Sequence, residues 1–194
     1  SGQASPRQLA VHDDRFVAGL GRIVEAVHRF PSRLFLQIAH AGRQTKEKLC
    51  GCVPVSPSAV YDPVSKVMPR ELSGAEIRTL VGDFVQAARR AKDAGFDGVQ
   101  LHVAHGYLLS SFLSPHTNRR QDEWGGRLEN RARVVVEILS EIKALLGPGF
   151  PVIAKLNSTD FMEDGLTLND AVRAAELLAA AGIDGIEMSG GMAE

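Results

Sequence analysis

Apolar positions along this chain alternate between two periods. Phe16, Val17, Leu20, Ile23, Val24 and Val27 fall at the spacing of an amphipathic helix behind Asp13 and Asp14, which suit an N-cap; Leu34 to Ile38 then reads as a short apolar strand. A stretch rich in Pro, Ser and Gly, from Ala39 to Leu72, is expected to be a long loop. Ser73 and Glu76 form a capping-box pattern that opens a helix running to Ala94, with Gly95 as its C-cap. Asp97 to Leu101 is the next strand, and a second long loop is expected from His102 to Gly126. A third helix carries Leu128, Val135, Ile138, Leu139, Ile142 and Leu145 and closes at Gly147. Pro151 to Leu156 is a third strand, Thr167 with Asp170 caps a fourth helix that Gly182 ends, and Asp184 to Met188 is a fourth strand. The order is therefore α, β, α, β, α, β, α, β.

An internal echo supports that order. Ala94-Gly-Phe-Asp-Gly-Val-Gln-Leu101 matches Ala181-Gly-Ile-Asp-Gly-Ile-Glu-Met188, 87 residues further on, the distance two βα units would account for. Like junctions arise where each helix turns tightly through a Gly onto a parallel strand. A doubly wound sheet could produce the same echo, but substantial loops after the first three strands favour an α/β barrel. A closed barrel needs eight strands and about 250 residues. Four strands are legible here, so a single domain, residues 1–194, is expected to be part of an α/β TIM (β/α)8 barrel of which about four central βα units are present. The chain begins Ser1-Gly2 and stops at Glu194, a few residues past a strand, which suggests excision from a longer protein.

Composition narrows the function classes. A net charge of -1 over 194 residues, with no basic stripe interleaved with aromatics, argues against nucleic acid as a partner. No apolar run approaches the roughly eighteen residues a membrane span needs, and the polar first twenty residues carry no signal-peptide core, so a cytoplasmic location is expected. The two cysteines, Cys50 and Cys52, are too close for an easy bridge and lack further ligands at zinc-like spacing; they read as reduced thiols.

The chemistry concentrates where the second strand ends. His102, His105 and Tyr107 follow Asp97–Leu101 directly, and α/β barrels keep their catalytic groups at the carboxyl ends of strands. Two imidazoles and a phenol there can bind an oxyanion and deliver a proton. The residues alone leave two other readings open: satisfied core histidines, or an H-x-x-H metal pair, for which no third ligand is evident.

Gln37 to Arg43 (QIAHAGR), His102 to Tyr107 (HVAHGY), Phe112 to Pro115 (FLSP), Asn118 to Arg131 (NRRQDEWGGRLENR) and Ala154 to Asn157 (AKLN) together resemble the Old Yellow Enzyme family of flavin-dependent oxidoreductases, over nearly the whole chain. The resemblance implies an FMN-holding barrel in which these four strands correspond to strands three to six. It implies that Gln37 hydrogen-bonds the pyrimidine edge of the flavin and that Lys155 sets its ammonium beside flavin N1 and O2. By themselves these residues would equally read as a polar strand cap and a snorkelling lysine. It further implies that His102 and His105 bind the carbonyl oxygen of an enone, and that Tyr107 protonates its α-carbon after hydride reaches the β-carbon. The reaction implied is ping-pong reduction of an electron-poor alkene with NADH or NADPH.

Many family members carry Arg where this chain has Lys155, some have Asn where it has His105, and Ser is frequent where it has Arg127, so the helix after Arg127 is expected to be less well capped. His40, Arg43 and the segment from Asn118 to Arg131 are expected to be structural, with Trp124 a packing anchor, and His12, His28 and His116 to lie on the surface or in loops. The family grips the FMN phosphate with its last two strand loops, which lie beyond this chain, so the isolated chain is expected to bind FMN weakly and to be inactive. The competing classes are a non-catalytic half-barrel completed by self-association, as a homo-oligomer, and a metal-dependent hydrolase using His102 and His105.

Overall fold

Four parallel strands, each entered from a helix or loop that crosses its outer face, set the frame of the molecule. A computed structural model describes residues 2–192. In chain order the elements are α1 (Val17–Val27), β1 (Phe35–Ile38), α2 (Glu47–Cys50), β2 (Val55–Ser56), β3 (Arg70–Glu71), α3 (Gly74–Asp93), β4 (Gly98–Val103), α4 (Leu108–Leu113), α5 (Leu128–Leu146), β5 (Val152–Asn157), α6 (Leu168–Ala180) and β6 (Gly185–Ser189). A 3-10 turn, Asp14–Phe16, precedes α1, with the Asp13 side chain accepting from Arg15 N as its N-cap. The main sheet runs β1-β4-β5-β6, every pair parallel and spatially in chain order, as in one arc of a TIM barrel. A doubly wound sheet would reverse its order at a switch point.

Alternation along the strands separates two faces. Val99, Leu101 and Val103 of β4 and Val152, Ala154 and Leu156 of β5 point outward and are wholly buried under α3, α5 and α6. Their neighbours on the concave face are Gln100, His102, Ile153, Lys155 and Asn157. At the bottom of that face a bulky residue lies over a glycine in each paired row: Phe35 over Gly98 and Ile153 over Gly185. A Cβ on Gly98 would lie 2.4 Å from Phe35 Cε1 and 2.7 Å from Pro151 O.

The echoed junctions are built alike. Gly95 and Gly182 take positive φ, Asp97 N and Asp184 N each donate at 2.9 Å to a carbonyl at the start of the neighbouring strand, that of Leu34 just before β1 and that of Val152 in β5, and each Asp carboxylate accepts that residue's N–H in return, at 2.7 and 2.6 Å. The Asp of the repeat thus staples one strand start to the next. Further side chains complete both staples: Arg33 and His28 at Asp97, Lys143 at Asp184.

Asp13 caps only the 3-10 turn, and α1 itself, with Phe16 at its N-cap, has no side-chain cap, but the caps expected further on are present. Ser73 and Glu76 form a complete capping box, Thr167 accepts from Asp170 N, and Arg127, at the N-cap of α5, makes no side-chain cap bond. Three expectations need correction. The second strand extends two residues further, through His102 and Val103, because both are paired to β5. The segment from His102 to Gly126 is not all loop: six residues form α4, fully buried, so burial rather than amphipathic period stabilises it. The stretch from Ala39 to Leu72 holds a one-turn helix, α2, and a short parallel pair, β2 with β3.

Polar residues from Asn118 to Arg131 hold these loops together. Asn118 Nδ2 donates to Phe112 O and Trp124 O at 2.7 and 2.8 Å, Arg120 Nη1 to Leu72 O at 2.6 Å, and Arg131 Nε to Leu113 O at 2.7 Å. Trp124 is buried between them. His28 is on the surface as expected yet belongs to the Asp97 staple, and His116 pairs with Asp164 at 2.8 Å. Cys50 and Cys52 are free thiols.

Candidate active site

The carboxyl ends of β4, β5 and β6 bring the expected residues together. His102, the fifth residue of β4, faces the concave side beside Lys155 of β5, its register partner. The chain then leaves the strand through two consecutive left-handed residues, His105 (φ 64) and Gly106 (φ 78), and enters α4 with Tyr107 as N-cap. A Cβ on Gly106 would lie 2.5 Å from Gln44 Nε2 and 2.7 Å from Met192 Cγ, so the turn has room for glycine alone. His105, a non-glycine in that region, carries local strain held by its surroundings.

This turn folds both other rings back against His102. The His102 and Tyr107 ring centroids are 4.8 Å apart and those of His102 and His105 5.2 Å apart, both edge-to-face. Two polar partners hold His105: its backbone N donates to Asn157 Oδ1 at 3.2 Å, and its Nε2 lies 2.6 Å from Ser189 Oγ. Asn157 is itself fixed, donating through Nδ2 to Asp160 Oδ1 and Gly191 O, both at 3.0 Å.

Burial lowers the His102 pKa to about 4, reinforced by the nearby His105 and Lys155 and opposed by Glu187. His105 is shifted the same way, chiefly by burial and then by the Lys155 charge. Both imidazoles are therefore neutral at physiological pH, each carrying one N–H donor and one acceptor nitrogen. Nδ1 of His102 is buried and has no hydrogen-bond partner, so the cluster has unused polar capacity.

Gln37 and Lys155 do not touch each other, but two residues given no role from sequence connect them. Gln37 Nε2 donates to Gln100 Oε1 at 2.7 Å, Gln100 Nε2 donates to Glu187 Oε2 at 2.7 Å, and Glu187 pairs with Lys155. Gln100 and Glu187 come from alternate strands, whose inward side chains share a layer in a curving sheet. Ser189 and Asn157 are likewise missing from the sequence reading. A polar residue among apolar ones in a strand was the available signal for Gln100, and the internal echo sets Glu187 at the equivalent position 87 residues on, since that pattern demands a partner; Ser189 carried none.

Among the described residues, no three or more His, Cys, Asp or Glu side chains are placed to hold a metal ion. No helix among them is long and apolar enough to cross a membrane.

Comparison with known proteins follows the same lines. Residues 1–192 match the model of the NADH:flavin oxidoreductase / NADH oxidase family. The chain is 43% identical over 188 residues to an NADH oxidase of Thermoanaerobacter brockii, covering 96% of this chain and 29% of that protein. It is 36% identical over 190 residues to an NADPH dehydrogenase of Bacillus subtilis, covering 98% of this chain and 55% of that protein. Among solved structures it superposes on a 2-naphthoyl-CoA reductase complexed with 2-naphthoyl-CoA (TM-score 0.94, 33% identity, 98% of this chain and 31% of that one). It also superposes on an Old Yellow Enzyme homologue from Zymomonas mobilis (TM-score 0.89, 31% identity, 96% and 56%). The chain thus spans between about a third and a little over half of these relatives.

Proposed function

We propose, on the premise that this chain belongs to the NADH:flavin oxidoreductase / NADH oxidase family, that it supplies the ring-binding and substrate-binding face of an FMN-dependent enzyme that reduces the C=C bond of an enone-type small molecule. The observation that carries the reading is the convergence of His102, His105 and Tyr107 at the end of β4, beside Lys155. An NADH- or NADPH-driven reaction fits a cytoplasmic setting, where those nucleotides are held.

The residues present fit a flavin ring. Gln37 offers an amide, which both donates and accepts, and Lys155 offers a cation, while His102 Nδ1 has no partner within the protein. Bound there, FMN would supply hydride transfer from NADH or NADPH to the β-carbon of the alkene. The remaining work belongs to side chains of this chain. His102 and His105, both neutral, donate N–H groups to the carbonyl oxygen and stabilise the negative charge that develops there. Tyr107, edge-on to His102, gives its phenolic proton to the α-carbon.

The contact at Ser189 restricts how His105 can meet a substrate. Nε2 of His105 is engaged by the Ser189 hydroxyl, so His105 can donate to substrate only from Nδ1. That requires the serine to donate into Nε2, which places the imidazole proton on Nδ1.

The barrel arc is open at β6. Met188, on the outer face of that strand, is 55% exposed, and Leu168 and Val172 of α6 are 61% and 51% exposed. In a closed barrel the next βα unit covers such positions.

The test is a visible absorbance titration with FMN followed by rapid mixing. A flavin band that shifts on binding, bleaches with NADPH and recovers on adding 2-cyclohexenone supports the reading. Recovery with oxygen but never with enones would reject the substrate class.

A further inference from the structure

Four strands contribute to one polar chain on the concave face: Gln37 of β1, Gln100 of β4, Glu187 of β6 and Lys155 of β5. Its charged end decides the orientation of every amide in it. An ionised carboxylate accepts hydrogen bonds and donates none. Gln100 must therefore turn its NH2 toward Glu187, leaving its Oε1 for Gln37, and Gln37 must commit one N–H to Gln100. What Gln37 has left for the concave face is its carbonyl oxygen and its second N–H. It is the one uncharged member of the chain that is exposed.

The same carboxylate faces the Lys155 ammonium, so the pair is neutral as a unit. An ammonium paired in this way exerts a weaker field on a neighbouring group than a lone one.

The geometry points to Glu187 as a positioning residue for the flavin, one that cancels the charge of Lys155 and orders Gln100 and Gln37 so that a carbonyl oxygen meets the ring N3–H. This rests on the reading that Gln37 and Lys155 lie at the pyrimidine edge of FMN. The ring gains negative charge near N1 and O2 on reduction, and Glu187 limits how far Lys155 favours that state. The consequence is a lower flavin midpoint potential and a more strongly reducing hydride donor than a lone lysine would give.

The experiment is spectroelectrochemical titration of the FMN-loaded protein, together with FMN dissociation constants from fluorescence, for wild type, Glu187→Gln, Lys155→Met and Gln100→Leu. Glu187→Gln is expected to raise the midpoint potential by about 30 mV, a tenfold gain in preference for reduced over oxidised flavin in a two-electron couple. Lys155→Met is expected to lower it. Gln100→Leu keeps the charge pair but breaks the amide chain, so the potential should hold while oxidised FMN binds several-fold more weakly.

An unchanged potential in Glu187→Gln, with Lys155→Met still lowering it, overturns the role of Glu187 and leaves the ring site standing. If neither variant moves the potential, the placement of Lys155 beside the flavin fails as well. Should Glu187→Gln not fold, Gln100→Leu decides alone: unchanged FMN affinity there overturns the proposal.

Discussion

Ser189 Oγ, at the end of β6, lies 2.6 Å from Nε2 of His105, in the turn that leaves β4. This contact crosses β5, which lies between the two strands in the sheet, and ties the strained turn to the far side of the arc. It also leaves His105 with one nitrogen for a substrate.

Ser189→Ala should therefore release the tautomer without removing the imidazole. The loss of one hydrogen bond corresponds to about fivefold in enone binding or in the rate of flavin reoxidation by enone. Stopped-flow kinetics against enone concentration measure it. A Ser189→Thr variant, which keeps the hydroxyl, should retain most of the activity, and equal loss in both variants would argue that the side chain merely packs.

Tyr107→Phe removes the proposed proton donor while keeping the ring that packs edge-on against His102. Enone turnover should fall by about a hundredfold or more. Bleaching of the flavin by NADPH involves no proton from this residue and should keep its rate. Parallel loss in both half-reactions would contradict the assignment.

Acid should weaken the fold through two buried histidines. Burial holds His40 and His102 at about 4, below the ordinary histidine value of 6.5. Between those limits the unfolded chain binds protons that the folded chain refuses, so stability falls as pH drops from 6.5 toward 4 and is fully present above 6.5. Each histidine contributes on the order of 3 kcal/mol at most across that window. Asp97, held low by the Leu34 N–H and then by His28 and Arg33, loses its contribution only at lower pH. Melting temperature against pH checks the sign, and His102→Gln should flatten the upper part of the curve.

Gly98→Ala probes the packing layer beneath the site. Its new Cβ would collide with Phe35 Cε1 at 2.4 Å and with Pro151 O at 2.7 Å. Overpacking of this kind costs about 1–3 kcal/mol. Adding Phe35→Leu should recover part of the loss in a denaturant melt, because the ring can withdraw; the carbonyl cannot, so recovery should be incomplete.

Much of the architecture was legible one residue at a time. The capping box at Ser73 and Glu76 is a contact across three residues, and the repeated Gly-Phe-Asp-Gly and Gly-Ile-Asp-Gly junctions mark helix ends through their own backbone needs. Helix α4 was not legible because its six residues are buried on every side and so display no polar face. The expected site residues were visible as an unusual cluster of rings at a strand end, whereas Asn157 and Ser189 looked like ordinary polar positions and Gln100 and Glu187 showed only as polar residues inside apolar strands.

The sequence by itself determined the main alternation of four helices and four strands, the Gly-Asp junctions that join them and the strand end that would carry His102, His105 and Tyr107, since these follow from local propensities, caps and a period of two or 3.6 residues. The tertiary structure decided which polar groups meet. Gln37 and Gln100 are 63 residues apart, Gln100 and Glu187 are 87 apart, and His105 and Ser189 are 84 apart. No local rule relates them; they are joined because parallel strands stacked in register curve their inward side chains into shared layers.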